Sequence, residues 1–218
     1  MDVILPKKNA YLISIAISLG AIAYSEFPII KSLDHTSQYS VFTKYAQDGS
    51  PVTWDQEREI EVVIYGVHTA DSDWKLVEKS LKWLERELGV KSRIIGSTEI
   101  SASINWFKVN TFGSIPPVNI SFVQRQESDL LLNPAAIAAA VANPSKGLHP
   151  TIVTGAIAID RDAITALTSG KKELVLRHEL GHLVGFGHEI SDLMNPELGG
   201  CSCQTISRTK VIQFQASA

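Results

Sequence analysis

Cysteine is scarce in this sequence, and positive charge is not in excess. Among 218 residues there are two cysteines, Cys201 and Cys203, which are too few to form a zinc site by themselves. Residues two apart would close a strained ring, so a tight disulfide, a bridge between two chains and free thiols all stay open. The formal net charge of −3 gives no general excess of positive charge for binding phosphates, so no nucleic acid is expected as a partner.

The N-terminal apolar run, residues 10–24, is shorter than a membrane-spanning helix. It holds fifteen uncharged residues, whereas a helix needs about 20 to cross a bilayer. Lys7 and Lys8 precede the run and Ala21-Ile22-Ala23 closes it, which is the layout of a secretory signal peptide. We therefore predict a signal peptide at 1–23 and a secreted or extracytoplasmic protein. An uncleaved N-terminal anchor is the alternative, and only in that case is a membrane a partner.

The remaining chain is long enough for one domain. Residues 24–52 show no sustained periodicity and end in the turn signal Asp48-Gly49-Ser50-Pro51. We predict a short pro-segment, a linker or an N-terminal strand there. Residues 53–218 then form a single domain, whose length is sufficient to bury a full hydrophobic core.

Hydrophobic periodicity predicts a mixture of strands and helices. Strands are expected where β-branched residues cluster or alternate with polar ones, at 59–67, 93–98, 104–109, 118–123 and 155–160. Apolar residues recur at spacings of three and four from Trp74 to Leu88, which predicts an amphipathic helix that Gly89 ends. Asn133-Pro134 and Asn143-Pro144 bracket an alanine-rich stretch that we predict to be a second helix.

The most informative stretch is His178–His188, which reads HExxHxxGxxH. On a helix, side chains four residues apart lie on the same face, so His178 and His182 can bind one ion at the ~2.0–2.1 Å distance that zinc requires. Glu179 follows the first histidine, where its carboxylate can reach a water beside the metal, as a general base must. This spacing predicts a catalytic zinc site.

Gly185 and His188 complete the pattern. A glycine can adopt positive φ and end the helix sharply, and the turn can bring His188 back as a third ligand. Three imidazoles leave one tetrahedral position open for water, whose pKa zinc lowers to about 7. One alternative is a buried helix with incidental histidines, although half of the six histidines fall on this spacing. The other is a catalytically silent secreted zinc-binding module, which the intact Glu179 argues against.

The run His178–His188, followed by Leu193-Met194-Asn195-Pro196, resembles the zinc site and Met-turn of the metzincin metallopeptidases, and within them the matrixin-like subgroup. The resemblance covers residues 178–196. It implies a zincin fold of the α/β (α+β) class, in which a twisted mixed sheet with an antiparallel edge strand packs on helices that include the zinc-binding helix. It also implies a zinc-dependent endopeptidase acting on peptide or protein substrates, with Met194 as a support beneath the metal.

The same resemblance implies positions for the substrate and for a second ion. Leu174 matches a position that lines the main specificity pocket, and otherwise it is plain core. Asp160 and Asp162 stand where matrixins place calcium ligands, but two carboxylates alone are a weak calcium signal, and a solvated strand end is favoured over a calcium site. The edge strand that would pair with an extended peptide is matched by Gly155, Ala156, Ile157 and Ala158.

Some features depart from the matrixin pattern. His188 and Met194 are closer than usual, Asn195 replaces the common tyrosine, and residues 24–52 lack the cysteine that makes many matrixins latent. These departures bear on the subgroup and not on the zinc chemistry. A peptidase or amidase confined to one small peptide shares that chemistry and stays open.

Overall fold

A computed structural model gives the architecture and describes residues 42–67, 69–108, 115–133, 136–189, 192–195 and 204–217. The predicted signal peptide at 1–23 and both cysteines lie outside these ranges. Among the helices in the described ranges, none combines the length and the apolar character needed to cross a membrane.

The described chain alternates strands and helices. In order, the elements are β1 (Ile60–Tyr65), α1 (Asp71–Leu88), β2 (Ser92–Thr98), β3 (Val118–Val123), β4 (Ala138–Pro144), β5 (Ile152–Asp160), α2 (Arg161–Thr165), α3 (Ser169–Leu183) and α4 (Arg208–Gln215).

Helix α1 forms where the sequence predicts it. Val77, Leu81, Leu84 and Leu88 are buried along one face, because residues at spacings of three and four share a side of the helix. Gly89 has a φ of 78° and donates its N–H to the Glu85 carbonyl at 2.8 Å. The helix therefore ends in the left-handed turn that glycine adopts without strain.

The strands form one mixed sheet in the order β2-β1-β3-β5-β4. The pairs β1–β2, β1–β3 and β3–β5 are parallel, and β4 is antiparallel to β5. One face of the sheet packs on helices α1, α3 and α4 in the main core, and loop residues such as Trp106 and Leu130 cover the other face. This arrangement confirms the α/β class with a mixed sheet and an antiparallel edge strand.

The alanine-rich stretch is a strand, so the predicted second helix is wrong. Ala138–Pro144 pairs with β5 from Ala138 opposite Ile159 to Pro144 opposite Ile152. Its side chains are buried in both hydrophobic clusters, on either face of the sheet. Small side chains let both layers approach the strand closely, and pairing with burial on two faces outweighs the helix preference of alanine.

The predicted position of the edge strand, at residues 155–158, is also wrong. Gly155, Ala156, Ile157 and Ala158 belong to β5, which lies between β3 and β4. Both sides of β5 are already paired, so these residues cannot accept a further strand. The antiparallel edge strand is β4.

A third correction concerns the strand predicted at 104–109. Within its described part, Trp106–Lys108 forms a single 3-10 turn. Trp106 is fully buried and its indole N–H donates to the Pro117 carbonyl at 2.6 Å. The apolar residues at this position therefore anchor a loop to the sheet and do not extend the sheet itself.

The N-terminal residues of the described chain pack into the domain. Phe42 is 4% exposed, Ala46 6% and Val52 0%, and all three belong to the main core. Residues 42–52 were predicted to be part of a pro-segment or linker. Their burial means that the predicted boundary at residue 53 does not separate two packing units.

Candidate metal site

Helix α3 carries two of the predicted ligands on one buried face. His178 is 0% exposed and His182 2%, and their ring centroids lie 4.6 Å apart. This proximity follows from their spacing of four residues on a helix. The helix thereby places two imidazoles side by side inside the protein.

Backbone carbonyls orient both rings. The Nδ1 atom of His178 lies 2.9 Å from the Leu193 carbonyl, and that of His182 lies 2.8 Å from the Phe186 carbonyl. A carbonyl only accepts hydrogen bonds, so each Nδ1 carries the proton and each Nε2 presents a lone pair. Burial and the neighbouring histidines also lower the pKa of His182 well below its usual value, which keeps that ring neutral.

His188 returns to the same point after a turn at Gly185. Gly185 has a φ of 110°, and a Cβ there would lie only 2.6 Å from the Val52 carbonyl oxygen, so this turn requires glycine. The Nε2 atom of His182 lies 3.0 Å from Nε2 of His178 and 3.0 Å from Nε2 of His188. The three predicted ligands therefore converge.

This geometry fits a metal ion. With their protons on Nδ1, His178 and His182 point lone pairs at each other across 3.0 Å, which is repulsive unless a cation lies between them. Ligands of a tetrahedral zinc ion at ~2.0–2.1 Å are about 3.3 Å apart, close to the distances found. The cluster His178, His182 and His188 could therefore hold a metal ion.

Glu179 follows His178 on α3 and carries an oxygen without a partner among the described residues. Its side chain is 1% exposed, and Oε2 has no hydrogen-bond partner among the described residues. Burial raises the pKa of Glu179 to about 8. A buried polar atom without a partner costs stability, and such groups concentrate at functional sites.

The Met194 turn packs directly beneath the ligand helix. Met194 is fully buried, and its Sδ lies so close to Gly181 that a Cβ at Gly181 would overlap it. The neighbouring Leu193 carbonyl is the one that orients His178. Met194 therefore supports the site through packing. The same turn provides the Leu193 carbonyl as the hydrogen-bond acceptor for the predicted ligand His178.

Three residues that sequence patterns did not single out hold this site together. Asp192 accepts the Met194 N–H through Oδ1 at 2.8 Å. Lys210 on α4 lies within 3.5 Å of Asp192 Oδ2. Phe42 forms an antiparallel bridge with Phe186, and their rings stack with centroids 5.8 Å apart. The contacts of Lys210 and Phe42 join distant parts of the chain, so no local spacing connects these two residues to the motif. Asp192 is close to Met194 in sequence, but its contact with Lys210 is again between distant residues.

The calcium hypothesis does not fit Asp160. Its Oδ1 accepts the backbone N–H groups of Asp162 and Ala163 at the start of α2, at 3.0 and 3.2 Å. Its Oδ2 binds the Arg125 guanidinium at 2.5 Å. Asp160 is a helix cap and an ion-pair partner, and both of its oxygens are engaged.

The Arg125 guanidinium also binds three backbone carbonyls that precede β4. Besides Asp160, it donates to the carbonyls of Leu131 at 3.2 Å, Asn133 at 2.6 Å and Ala136 at 2.7 Å. These carbonyls belong to the segment that leads into the edge strand β4. The positive charge that Asp160 and these carbonyls bind is therefore that of the Arg125 side chain.

Leu174 lies on α3, on the first half of the same helix as the ligands. It is partly exposed and packs against the main core. Its predicted role in a specificity pocket stays a prediction.

Comparisons with known proteins give a limited result. No family model matches the sequence, and no curated protein matches it. Among solved structures, 23 chains match, and one of them is myroilysin, with 14% sequence identity and a TM-score of 0.34. The match covers 75% of this chain and 61% of that chain, less than two thirds of the latter. A TM-score of this size supports no functional argument.

Proposed function

We propose that the protein is a zinc-dependent endopeptidase of the metzincin type. One observation carries the proposal: three histidine ligand atoms converge, and the residue after the first of them, Glu179, is buried with an Oε2 that is unpaired among the described residues. A helix built only for packing would not need this arrangement, because an unsatisfied buried polar group costs about 1–3 kcal/mol.

The chain divides the chemistry between ligands and base. His178, His182 and His188 would hold a zinc ion through Nε2. Zinc bound by three histidines lowers the pKa of water to about 7 and polarises a carbonyl group. The positive charge of a bound ion would oppose the effect of burial and favour the ionised carboxylate of Glu179. In that form Glu179 accepts a proton from the attacking water and returns it to the nitrogen of the leaving amine. Because Glu179 follows His178 on the same helix, the backbone sets the position of the base relative to the ligands.

The substrate in this proposal is an extended peptide that pairs with β4. Among the described residues, no strand pairs with the side of β4 opposite β5. A free edge of this kind binds a peptide through main-chain hydrogen bonds, with side-chain pockets adding specificity. The side chains of β4 are mostly alanines buried in the sheet, so we assign side-chain selection to other residues and propose Leu174 as one of them.

The predicted signal peptide at 1–23 completes the proposal. It directs the enzyme out of the cytoplasm, where it acts on peptides or proteins as a secreted or extracytoplasmic hydrolase. If the segment is not cleaved, the same domain acts from the membrane surface.

The test is cleavage of a randomised peptide library by the full chain, with and without a zinc chelator. We expect cleavage that the chelator abolishes and added zinc restores. Glu179→Gln should retain its zinc in metal analysis while cleavage falls by roughly 10²–10⁴-fold, the usual contribution of a general base. The matched control is Glu78→Gln, because Glu78 is exposed on α1 and its change should leave cleavage unaltered.

The outcomes separate the alternatives. A wild-type protein that binds zinc and cleaves no peptide after removal of 1–41 would favour the zinc-binding module without activity. Cleavage of one short peptide and no others would favour the narrow peptidase or amidase. A Glu179→Gln protein as active as wild type would exclude Glu179 as the base.

A further inference from the structure

The C-terminal helix α4 places a lysine inside the protein next to the third ligand. Lys210 is 1% exposed, although lysine is almost never fully buried unless its ammonium has partners. Its Nζ lies 3.1 Å from the Gly187 carbonyl and 3.2 Å from a Glu189 carboxylate oxygen. Gly187 and Glu189 are the two residues that flank His188, so one ammonium contacts the chain on both sides of this ligand.

The same ammonium also reaches the Met194 turn. Asp192 is 3% exposed, and its Oδ2 lies 3.5 Å from Lys210 Nζ and accepts the Ser207 N–H at 2.9 Å. Its Oδ1 accepts the N–H of Met194. Lys210 and Asp192 thus join three parts of the molecule: the loop of His188, the Met194 turn and the start of α4.

We propose that Lys210 is a positioning residue for the third metal ligand, holding the loop of His188 at the geometry that the ion requires. His188 has no helix to fix it, since α3 ends at Leu183. A buried ammonium with carbonyl and carboxylate acceptors forms charge-assisted hydrogen bonds, which are stronger than neutral ones. Outer contacts of this kind set the orientation of metal ligands.

The inference rests on the proposed zinc site, because it assigns His188 as a ligand. The proposed function and the positioning role of Lys210 can fail separately. If the wild-type full chain does not bind zinc, the proposed function fails; if the wild type binds zinc and Lys210 has no influence on binding, only this inference fails.

The decisive variant is Lys210→Met, which removes the charge and keeps a long apolar side chain. Zinc affinity is measured by competition with a chromophoric chelator, and ligand geometry by the visible absorption of the cobalt-substituted protein. We expect zinc affinity to fall by roughly 10–100-fold, as for other outer contacts of metal ligands, and the cobalt bands to shift. Lys210→Arg, which keeps the charge, should recover part of the affinity.

Two controls separate positioning from folding. Lys82→Met changes an exposed lysine on α1 and should leave both readouts at wild-type values. Unfolding of the metal-free proteins shows whether Lys210→Met is folded before metal is added. A folded Lys210→Met protein with wild-type affinity and cobalt spectrum would overturn the inference.

A second variant decides the matter if Lys210→Met does not fold. Glu189→Gln removes the negative charge from one partner of the ammonium, at a side chain that is 37% exposed, so it leaves the core intact. We expect a smaller loss of zinc affinity, about two- to fivefold for a single weakened hydrogen bond, with a cobalt shift in the same direction. Wild-type values for both quantities in Glu189→Gln would then overturn the inference.

Discussion

The candidate metal site has a helical half and a loop half, and the two are held by different means. His178 and His182 lie on α3, where backbone hydrogen bonds fix their separation and two carbonyls fix their rings. His188 lies after the helix, on a loop that receives its contacts from the two ends of the described chain: Phe42 on one side and Lys210 on the other. The first half is rigid by secondary structure, and the second depends on tertiary contacts.

Removing one ligand from each half tests this difference and should have the largest effect. A zinc site of four ligands contributes ~10–16 kcal/mol, so each ligand is worth roughly 2.5–4 kcal/mol, and its loss weakens binding by about a hundredfold to a thousandfold. We expect His182→Asn to show this full loss. His188→Asn should lose several-fold less, because part of the binding free energy of a loop ligand is spent on ordering the loop.

Chelator competition with both variants, side by side, measures the comparison. Equal losses would mean that the loop is as well ordered before binding as the helix is.

Phe42→Ala should weaken the loop half by removing its apolar anchor. The side chain is 4% exposed and stacks on Phe186, and truncation of a buried phenylalanine costs about 3 kcal/mol or more. The free energy of unfolding of the metal-free protein, from urea titration, checks this value. Leu132→Ala is the control, because Leu132 is 83% exposed and its change should stay within about 0.5 kcal/mol. If the two variants lose the same stability, residues 42–52 do not belong to the folded core.

Gly181→Ala should destabilise the helical half of the site, because it disturbs the packing of Met194 on α3. A Cβ at this position overlaps Met194 Sδ, and overpacking of this kind costs about 1–3 kcal/mol. Gly170→Ala is a matched control on the same helix, since nothing lies within 4 Å of its added Cβ and alanine favours the helix by up to ~1 kcal/mol. Opposite shifts in the unfolding midpoint are therefore expected, and shifts of the same sign would contradict close packing of Met194 on α3.

The helical half of the site could be predicted from sequence because its physics is local. The spacing of His178 and His182 determines their shared face, and Gly185 marks the end of the helix by its backbone freedom. The strands β1, β2 and β3 and the helix α1 were predicted for the same reason, from periodicity within a few residues.

The remaining features depend on contacts between distant residues. The alanines of β4 favour a helix by local preference and form a strand only because β5 and two apolar layers surround them. Lys210 carries no motif, and its role follows only from its contacts with Gly187, Glu189 and Asp192. The same holds for Phe42, which lies in a segment without periodicity.

The Arg125 guanidinium is a positive charge that does not depend on the metal content of the medium. A bound ion has a dissociation constant, so dilution, a competing chelator or an ion-poor medium can remove it, whereas a charge on a covalently attached side chain cannot leave the chain. The carbonyls before β4 are bound by that permanent charge. The carbonyls of Leu131, Asn133 and Ala136 should therefore keep their positions when a chelator removes a metal ion from the histidine cluster.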